Sequence, residues 1–221
     1  MLVYNLHKYH TDRSAFVIDD SFKDWARSIA FDDYTLWWCK NNSSNYFTTE
    51  RYFPPNEKKF NDQLASLKFL NLTTCSNKEI LDLGTGVGYF CTLANRLGHF
   101  AEGTEIKEVI QSSVKELYQN YRIKVFELLI KNQQEIKLDK KYDYITAIRT
   151  WFNSDSEYFS TKDWLFLKEN LMNFIKPGGG ILLKTNYKFL KNNFRPEQIE
   201  ILNAFGEPLI GWNSFTYFIK K

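Results

Sequence analysis

The sequence predicts an α/β protein built on a largely parallel sheet. From about residue 78 onward, short apolar runs alternate with longer amphipathic segments, which is the pattern of βαβ units. A glycine-rich turn over 84–88 joins one apolar run to a helical pattern. The chain has 221 residues, of which 43% are apolar and 25% charged. This composition is typical of a globular domain and excludes a disordered chain.

The N-terminal third has a different character. Residues 1 to about 75 are aromatic, rich in asparagine and irregular, with a turn signal at Pro54 and Pro55. We therefore predict a cap or substrate-side segment over 1–56 and the main domain over 57–221. Its aromatic residues could line an acceptor pocket or form a small core, and both interpretations stay open. These residues are Trp37, Trp38, Tyr46, Tyr52 and Phe53.

The order of elements follows from hydrophobic spacing and from glycine and proline stops. The first half is predicted to contain a helix over 57–70, a strand over 79–83, a helix over 89–97 closed by Gly98, a strand over 100–105 and a helix ending at Tyr118. The second half is predicted to contain strands over 123–130, 142–148 and 181–185. It is also predicted to contain a helix over 161–175, which the run 176–180 stops, and a helix over 198–205. The chain is predicted to finish with a hairpin around 211–213, whose last strand covers 214–219. His99 is expected at the surface of a loop.

The glycine turn carries the chemical information. Its spacing is G-x-G-x-G, which differs from the G-x-G-x-x-G pattern that holds a pyrophosphate. Asp82 stands two positions before Gly84, where a carboxylate would repel a pyrophosphate and suit an ammonium or sulfonium group. Glu105 follows about 20 positions later, where a carboxylate can accept hydrogen bonds from both hydroxyls of a ribose. Together these residues indicate a ligand with an adenosine-like ribose and a positive charge.

Four segments resemble the signatures of class I S-adenosylmethionine-dependent methyltransferases, in that family's order. The run 80–90 (ILDLGTGVGYF) resembles motif I, and 104–106 (TEI) resembles the acidic motif II. The run 142–145 (YDYI) resembles the signature of strand four, and 174–182 (FIKPGGGIL) the helix-turn-strand that follows it. The resemblance implies a doubly wound, seven-stranded, mostly parallel Rossmann-like sheet whose last strand is antiparallel. It also implies S-adenosylmethionine as cofactor and S-adenosylhomocysteine as product.

The resemblance further implies roles for matched positions. The glycine turn and its approach would hold the methionine part of the cofactor and surround the sulfonium, through Asp82, Gly84, Thr85, Gly86 and Gly88. Glu105 would bind the ribose, and Ile106 would pack on the face of the adenine. Asn132 and Gln133 would contact the adenine edge, and Arg149 would lie beside the transferred methyl group. Trp151 and Phe152, just past strand four, could face the substrate or the core.

Composition narrows the acceptor. The net charge is +3, from 29 basic and 26 acidic residues, which is too balanced to predict binding to nucleic acid. We therefore predict a small-molecule acceptor and methyl transfer by in-line displacement. No stretch reaches the roughly 18 consecutive apolar residues of a membrane span, so no membrane partner is expected. The 3 cysteines share no metal or redox spacing and indicate reduced thiols in a cytosolic protein.

Catalytic groups are harder to assign from the sequence. Relatives that methylate catechols with a metal carry an aspartate after strand four, where this chain has Arg149, so we predict no catalytic metal. No general base stands out; Asp155, Glu157, His7 and His10 are the candidates. Three alternatives stay open: a protein or RNA methyltransferase, an aminopropyltransferase that uses the decarboxylated cofactor, and a non-catalytic cofactor-binding protein. The sequence does not indicate an oligomeric state.

Overall fold

The computed structural model describes residues 18–30, 32–41, 57–150, 152, 159–184, 207–208 and 216–221. These residues fall into two compact units, which we call the N-terminal unit (Ile18 to Leu129) and the C-terminal unit (from Ile130 onward). Several predictions fall outside the described residues. They concern Tyr46, Tyr52, Phe53, Trp151, Asp155, Glu157, His7, His10, the helix over 198–205 and the turn at 211–213.

The N-terminal unit begins with three helices: α1 (Asp20–Ala30), α2 (Asp33–Asn41) and α3 (Glu57–Phe69). An aspartate precedes each of the first two and caps it. Asp19 Oδ1 accepts a hydrogen bond from Phe22 N at 2.8 Å, and Asp32 Oδ1 accepts one from Thr35 N at 2.8 Å. Such caps satisfy backbone donors that the first turn of a helix leaves without intrahelical partners. The predicted helix over 57–70 is confirmed.

The strands of this unit are β1 (Glu79–Leu83), β2 (Phe100–Glu105) and β3 (Val125–Glu127), paired in parallel in the order β3-β2-β1. Helix α4 (Tyr89–Arg96) connects β1 to β2 and packs against α1 and α3. Two more helices, α5 (Lys107–Ile110) and α6 (Val114–Tyr121), connect β2 to β3. The predicted βαβ units are therefore confirmed here, and the parallel pairing brings the carboxyl ends of the strands to one edge.

The connection from β2 to β3 differs from the prediction of one helix and a long strand. Ser112 interrupts the helix, because its Oγ donates to Val109 O at 2.6 Å and accepts from Val114 N at 3.3 Å, in competition with the backbone ladder. Strand β3 then starts two residues late, because Ile123 N closes helix α6 by donating to Tyr118 O at 2.9 Å.

His99 is buried rather than at the surface, which corrects the prediction. Its Nε2 lies 2.7 Å from Leu72 O, and its Nδ1 accepts from Lys78 N at 3.3 Å. Since Nδ1 is the acceptor, the proton is on Nε2, which donates to the carbonyl. The imidazole thus joins the chain before β1 to the chain before β2. These two contacts give His99 a structural role.

The aromatic residues of α2 divide between core and surface. Trp38 is buried, and its Nε1 donates to Ser113 O at 3.2 Å, whereas Trp37 is 55% exposed. Trp38 therefore belongs to the core of the N-terminal unit, as one of the two open interpretations expected. The boundary predicted at residue 56 stays a prediction.

The C-terminal unit contains β4 (Tyr142–Ile148), α7 (Thr161–Met172), β5 (Ile175–Lys184), β6 (Glu207–Pro208) and β7 (Thr216–Lys220). Strands β4 and β5 are parallel, β7 is antiparallel to β5, and the two-residue β6 is antiparallel to β7. The α/β class with mostly parallel strands and an antiparallel last strand is thus confirmed. The seven-stranded, doubly wound sheet that the resemblance implies stays a prediction.

Helix α7 ends earlier than predicted, and the glycine run belongs to a strand. The prediction extended the helix to residue 175, but Ile175 is fully buried opposite Tyr142 as the first residue of β5. The run that follows it forms an irregularity where the register between β4 and β5 shifts. A Cβ on Gly179 would lie 2.2 Å from Asp143 O, so the strand backbones approach too closely for any side chain there. Gly179 therefore has a structural role in the pairing of β4 with β5, rather than in stopping the helix as predicted.

Candidate functional site

The glycine turn lies between β1 and α4 and has the conformation that its sequence indicates. Gly84, Gly86 and Gly88 have φ angles of 64°, 59° and 83°. These values lie in the left-handed region, which glycine adopts without strain. Gly88 is also tightly packed, since a Cβ there would lie 2.5 Å from Ile123 Cδ1. It precedes helix α4, and no side chain caps that helix. We call residues 84–88 the glycine loop.

Glu105, at the carboxyl end of β2, lies against the glycine loop. Its Oε1 accepts a hydrogen bond from Gly86 N at 2.6 Å, and its Oε2 accepts one from Ile106 N at 3.2 Å. Burial raises the pKa of Glu105, although both backbone bonds act in the opposite direction. A carboxylate oxygen has two lone pairs, so each oxygen can accept one further hydrogen bond. The structure therefore brings together two of the predicted residues, Gly86 and Glu105, and holds the carboxylate by its backbone neighbours.

Ile106 follows Glu105 directly and is 39% exposed. Its backbone N–H anchors the carboxylate, while its aliphatic side chain stays accessible to solvent. An exposed isoleucine beside the carboxylate of Glu105 provides an apolar surface on which a flat ring could pack. The predicted contact with adenine stays a prediction, and this exposure is compatible with it.

The side chain of Thr85 is buried. Its N–H donates to Thr104 O at 3.0 Å, and its Oγ1 lies 3.4 Å from Cys91 Sγ. Its side chain also covers Gly103, where a Cβ would lie 2.5 Å from Thr85 Cγ2. The prediction that Thr85 contacts the cofactor is not tested, but these contacts give its side chain a packing role.

Asp82 is only 3% exposed, in β1 opposite Gly103. The charge of Asp82 acts on the nearby thiol of Cys91. Burial raises the pKa of Cys91 well above its usual value, and the negative charge of Asp82 raises it further. Cys91 is therefore a protonated, unreactive thiol at neutral pH. All three cysteines of the chain, Cys39, Cys75 and Cys91, are free thiols.

Tyr118 on α6 is a site residue that the sequence reasoning missed. Its buried hydroxyl donates to Gly86 O, across a separation of 32 residues. A Cβ on Gly88 would also lie 3.5 Å from two atoms of the Tyr118 ring. No motif marks a tyrosine at this distance from the glycine loop. Its position at the buried C-terminal part of an amphipathic helix was the only available signal.

The other predicted residues belong to the C-terminal unit. Asn132 is exposed in a turn, and Gln133 has a φ of 51° and donates from Nε2 to Asp163 Oδ1 at 3.0 Å. Arg149 follows β4 with a φ of 61°, and its N–H donates to Lys184 O at 2.7 Å. A positive φ in a non-glycine residue is uncommon and often occurs at functional sites. The roles predicted for these three residues stay predictions.

Phe152 packs into an aromatic cluster with Phe159 and Trp164, with ring centroids 5.2–6.4 Å apart. All three side chains are buried, so Phe152 faces the core of the C-terminal unit. The cluster lies beside the start of α7, where Ser160 and Asp163 form a reciprocal capping box. Burial alone would raise the pKa of Asp163, but hydrogen bonds from Ser160 and Gln133 outweigh it, and the net shift is downward.

The described residues contain no group of three or more His, Cys, Asp or Glu side chains arranged to hold a metal ion. None of their helices has the length and apolar character needed to span a bilayer.

Comparison with known proteins identifies the fold. No protein-family model matches the chain, and no curated protein sequence matches it. Among solved structures, it resembles the 16S rRNA N2 methyltransferase RsmC of T. thermophilus, in complex with AdoMet and guanosine. The TM-score is 0.53 at 17% identity, over 79% of this chain and 45% of that one. It also resembles a protein of Methanococcus maripaludis assigned as an S-adenosylmethionine-dependent methyltransferase. There the TM-score is 0.51 at 14% identity, over 86% of this chain and 94% of that one.

These identities are low, so the likeness shows the fold alone. The chain spans less than two thirds of several similar structures, including 55% of YjhP from E. coli, at a TM-score of 0.42, 17% identity and 67% coverage of this chain. The chain has a class I S-adenosylmethionine-dependent methyltransferase fold, as the resemblance of its motifs predicted.

Proposed function

We propose that the chain is an S-adenosylmethionine-dependent methyltransferase whose glycine loop and Glu105 bind the cofactor. The observation that carries this proposal is the anchoring of Glu105. One backbone N–H bonds to each of its two oxygens, which leaves one acceptor site on each oxygen. Two acceptors on one carboxylate match the two adjacent hydroxyls of a ribose.

The surrounding residues fit the remaining parts of such a ligand. The side chain of Ile106 is exposed and apolar, as a surface for adenine should be. Helix α4 starts at Gly88 without a side-chain cap, so the N–H groups of its first turn favour a carboxylate such as that of the methionine part. The buried carboxylate of Asp82 in β1 favours a positive charge nearby. We propose that Gly84, Gly86 and Gly88 let the ligand approach the backbone between these groups.

The cofactor, when bound, would supply a methyl group activated on a sulfonium, which would pass to an acceptor lone pair as the S–CH3 bond breaks and S-adenosylhomocysteine leaves. The chain's own residues bind and orient. Glu105 would hold the ribose, while Arg149, which we propose lies near the methyl group, would orient the acceptor. Orientation of this kind can account for much of the rate of a displacement. Asn132 and Gln133 remain proposals for the adenine edge, with the Gln133 amide also engaged by Asp163.

We propose a small molecule as the acceptor. The support is the balanced charge, 29 basic against 26 acidic residues, since nucleic-acid binding depends on a strongly basic surface. RsmC is named as a methyltransferase of 16S rRNA, but a likeness in fold carries no information about the acceptor. The cytosolic location predicted from the cysteines is part of this proposal.

Calorimetric titration with S-adenosylmethionine and S-adenosylhomocysteine tests the cofactor. We expect Glu105→Ala to weaken binding about 10- to 100-fold, because two charge-assisted hydrogen bonds are lost. Glu127→Ala is the matched control. Glu127 is opposite Glu105 in the register, at the carboxyl end of β3, and it is exposed. The Glu127→Ala variant should bind the cofactor with the affinity of the wild type.

Three results would count against the proposal. Equal affinity of wild type and Glu105→Ala would mean that the ribose site is elsewhere. Absence of binding to the folded wild type would reject the methyltransferase assignment. Preferential binding of decarboxylated S-adenosylmethionine would favour an aminopropyltransferase instead.

A further inference from the structure

The peptide groups of Gly86 are held from two directions. Its N–H donates to Glu105 Oε1 at 2.6 Å, and its carbonyl accepts from the hydroxyl of Tyr118. Tyr118 is buried in α6, so this hydroxyl is directed by a helix rather than by the loop itself. Gly86 is thus fixed between a side chain of β2 and a side chain of α6.

These two bonds matter because they hold the two peptide groups on either side of the Gly86 Cα atom. With a φ of 59° and no side chain, its backbone could adopt many other conformations. The flanking residues are fixed by the backbone, since Thr85 N donates to Thr104 O at 3.0 Å and Gly88 N donates to Thr85 O at 3.0 Å. The peptide between Thr85 and Gly86, which carries the Gly86 N–H, is therefore held by Gly88 and Glu105, whereas the next peptide, which carries the Gly86 carbonyl, is held by Tyr118.

We propose that Tyr118 is a positioning residue for the cofactor site, which holds Gly86 so that its N–H orients the carboxylate of Glu105. This inference rests on the proposed function of Glu105 as the ribose acceptor. With Gly86 N–H on Oε1 and Ile106 N–H on Oε2, the remaining acceptor sites of the carboxylate have defined directions. Without the Tyr118 hydroxyl, the peptide that carries the Gly86 carbonyl can rotate about the Gly86 φ and ψ bonds, and the hydrogen bond from Gly86 N to Oε1 weakens.

The proposal makes a second, electrostatic prediction. Among the described residues, burial and the N–H groups of Gly86 and Ile106 determine the pKa of Glu105, and no charged side chain contributes. The Gly86 bond lowers this pKa more than the Ile106 bond does. Its loss should therefore raise the pKa of Glu105 further. Since the ionised carboxylate is the form that accepts both hydroxyls, cofactor affinity should fall on acidification at a higher pH in the variant.

The test compares two variants of the same helix. Tyr118→Phe removes the hydroxyl that contacts Gly86, whereas Tyr121→Phe removes one that contacts Thr35 on α2. Binding of S-adenosylhomocysteine is measured by calorimetry between about pH 5 and 8, together with the melting temperature. We expect Tyr118→Phe to weaken binding about 2- to 10-fold at neutral pH. Its loss of affinity on acidification should begin at a higher pH, while Tyr121→Phe binds as the wild type does.

A further measurement needs no substitution. A Gly86 amide that bonds to a carboxylate should have an NMR shift that titrates with Glu105 in the ligand-free wild type. An amide shift that does not titrate would overturn the proposal even if Tyr118→Phe fails to fold.

The outcomes separate this inference from the proposed function. Wild type that binds, with unchanged affinity and pH profile in Tyr118→Phe, overturns the positioning role and leaves the proposed function standing. Weaker binding with an unchanged pH profile also overturns it, because a structural role alone would produce that result. Equal losses in both variants would indicate general destabilisation and overturn it too. Folded wild type that does not bind removes the proposed function itself.

Discussion

Helices α4 and α7, whose N-cap residues are Gly88 and Ser160, begin in opposite ways. Helix α4 starts after a glycine with a φ of 83° and has no side-chain cap. Helix α7 starts with a capping box, in which Ser160 Oγ accepts from Asp163 N at 3.3 Å and Asp163 Oδ2 accepts from Ser160 N at 2.6 Å. Ser160 Oγ also donates to Asp163 Oδ2 at 2.6 Å, and Gln133 Nε2 donates to Asp163 Oδ1 at 3.0 Å. The first turn of α7 is thus capped by the protein's own side chains, whereas no side chain caps the first turn of α4.

The difference indicates how each region contributes. In the glycine loop, glycines adopt positive φ angles without strain, and we propose that the backbone polar groups there bind the cofactor. At the start of α7, polar groups are paired internally above an aromatic core. We therefore expect substitutions near α7 to change the free energy of unfolding alone, and substitutions in the loop to change ligand affinity as well.

The largest effect is expected in the aromatic cluster beside α7. Trp164 is fully buried against Phe152 and Phe159, so Trp164→Ala should lower the free energy of unfolding by about 3–5 kcal/mol. The exposed Trp37 provides the control, since Trp37→Ala should change it by about 0.5 kcal/mol or less. Urea unfolding measures both. If the remaining folded Trp164→Ala protein bound S-adenosylhomocysteine more weakly, the separation of the two regions would be wrong.

An intermediate effect on both properties is expected at Gly88. An alanine at position 88 must keep the positive φ, which costs about 1–2 kcal/mol of stability. Its Cβ must also push away Ile123 Cδ1, which would otherwise lie 2.5 Å from it. Gly98, at the other end of α4, has a φ of 86° but only an ordinary contact, Ser76 Cβ at 3.5 Å. Gly98→Ala should therefore cost stability alone, whereas Gly88→Ala should also weaken cofactor binding. Calorimetry and thermal unfolding of the pair test this, and equal affinities would show that the loop does not need its conformation for binding.

The smallest effect is expected from the capping box. Ser160→Ala should lower the free energy of unfolding by about 1 kcal/mol and leave cofactor affinity unchanged. The pKa of Asp163 is lowered in the folded state by the bonds from Ser160 and Gln133 that outweigh burial. Its stabilisation is therefore present above the unfolded pKa and lost as pH falls through the folded pKa. The difference in the free energy of unfolding between Ser160→Ala and the wild type should therefore shrink as the pH falls through that range. A difference that does not change with pH would mean that the cap acts without the carboxylate.

The part of the site predicted from the sequence is the part that is local in the chain. The strand before the glycine loop, the loop and the acidic end of β2 lie within one βαβ unit, where spacing alone aligns Gly86 with Glu105. Tyr118 was not predictable, because its contact with Gly86 depends on how α6 packs. Gln133 illustrates the same limit, since the family resemblance implied a contact with adenine and the structure adds a hydrogen bond to Asp163.

By itself, the sequence determined the α/β class, the bounds of β1, β2 and β4, and the conformation of the glycine loop, because alternating apolar patterns and glycine spacing act over a few residues. The tertiary structure decided that Ile175 starts a strand rather than ending a helix, since burial opposite Tyr142 outweighs its helical spacing. It also buried His99, whose imidazole bonds to Leu72 O and Lys78 N, and it placed the Tyr118 hydroxyl on the carbonyl of Gly86. Each of these outcomes depends on contacts between residues far apart in the chain, which no local pattern encodes.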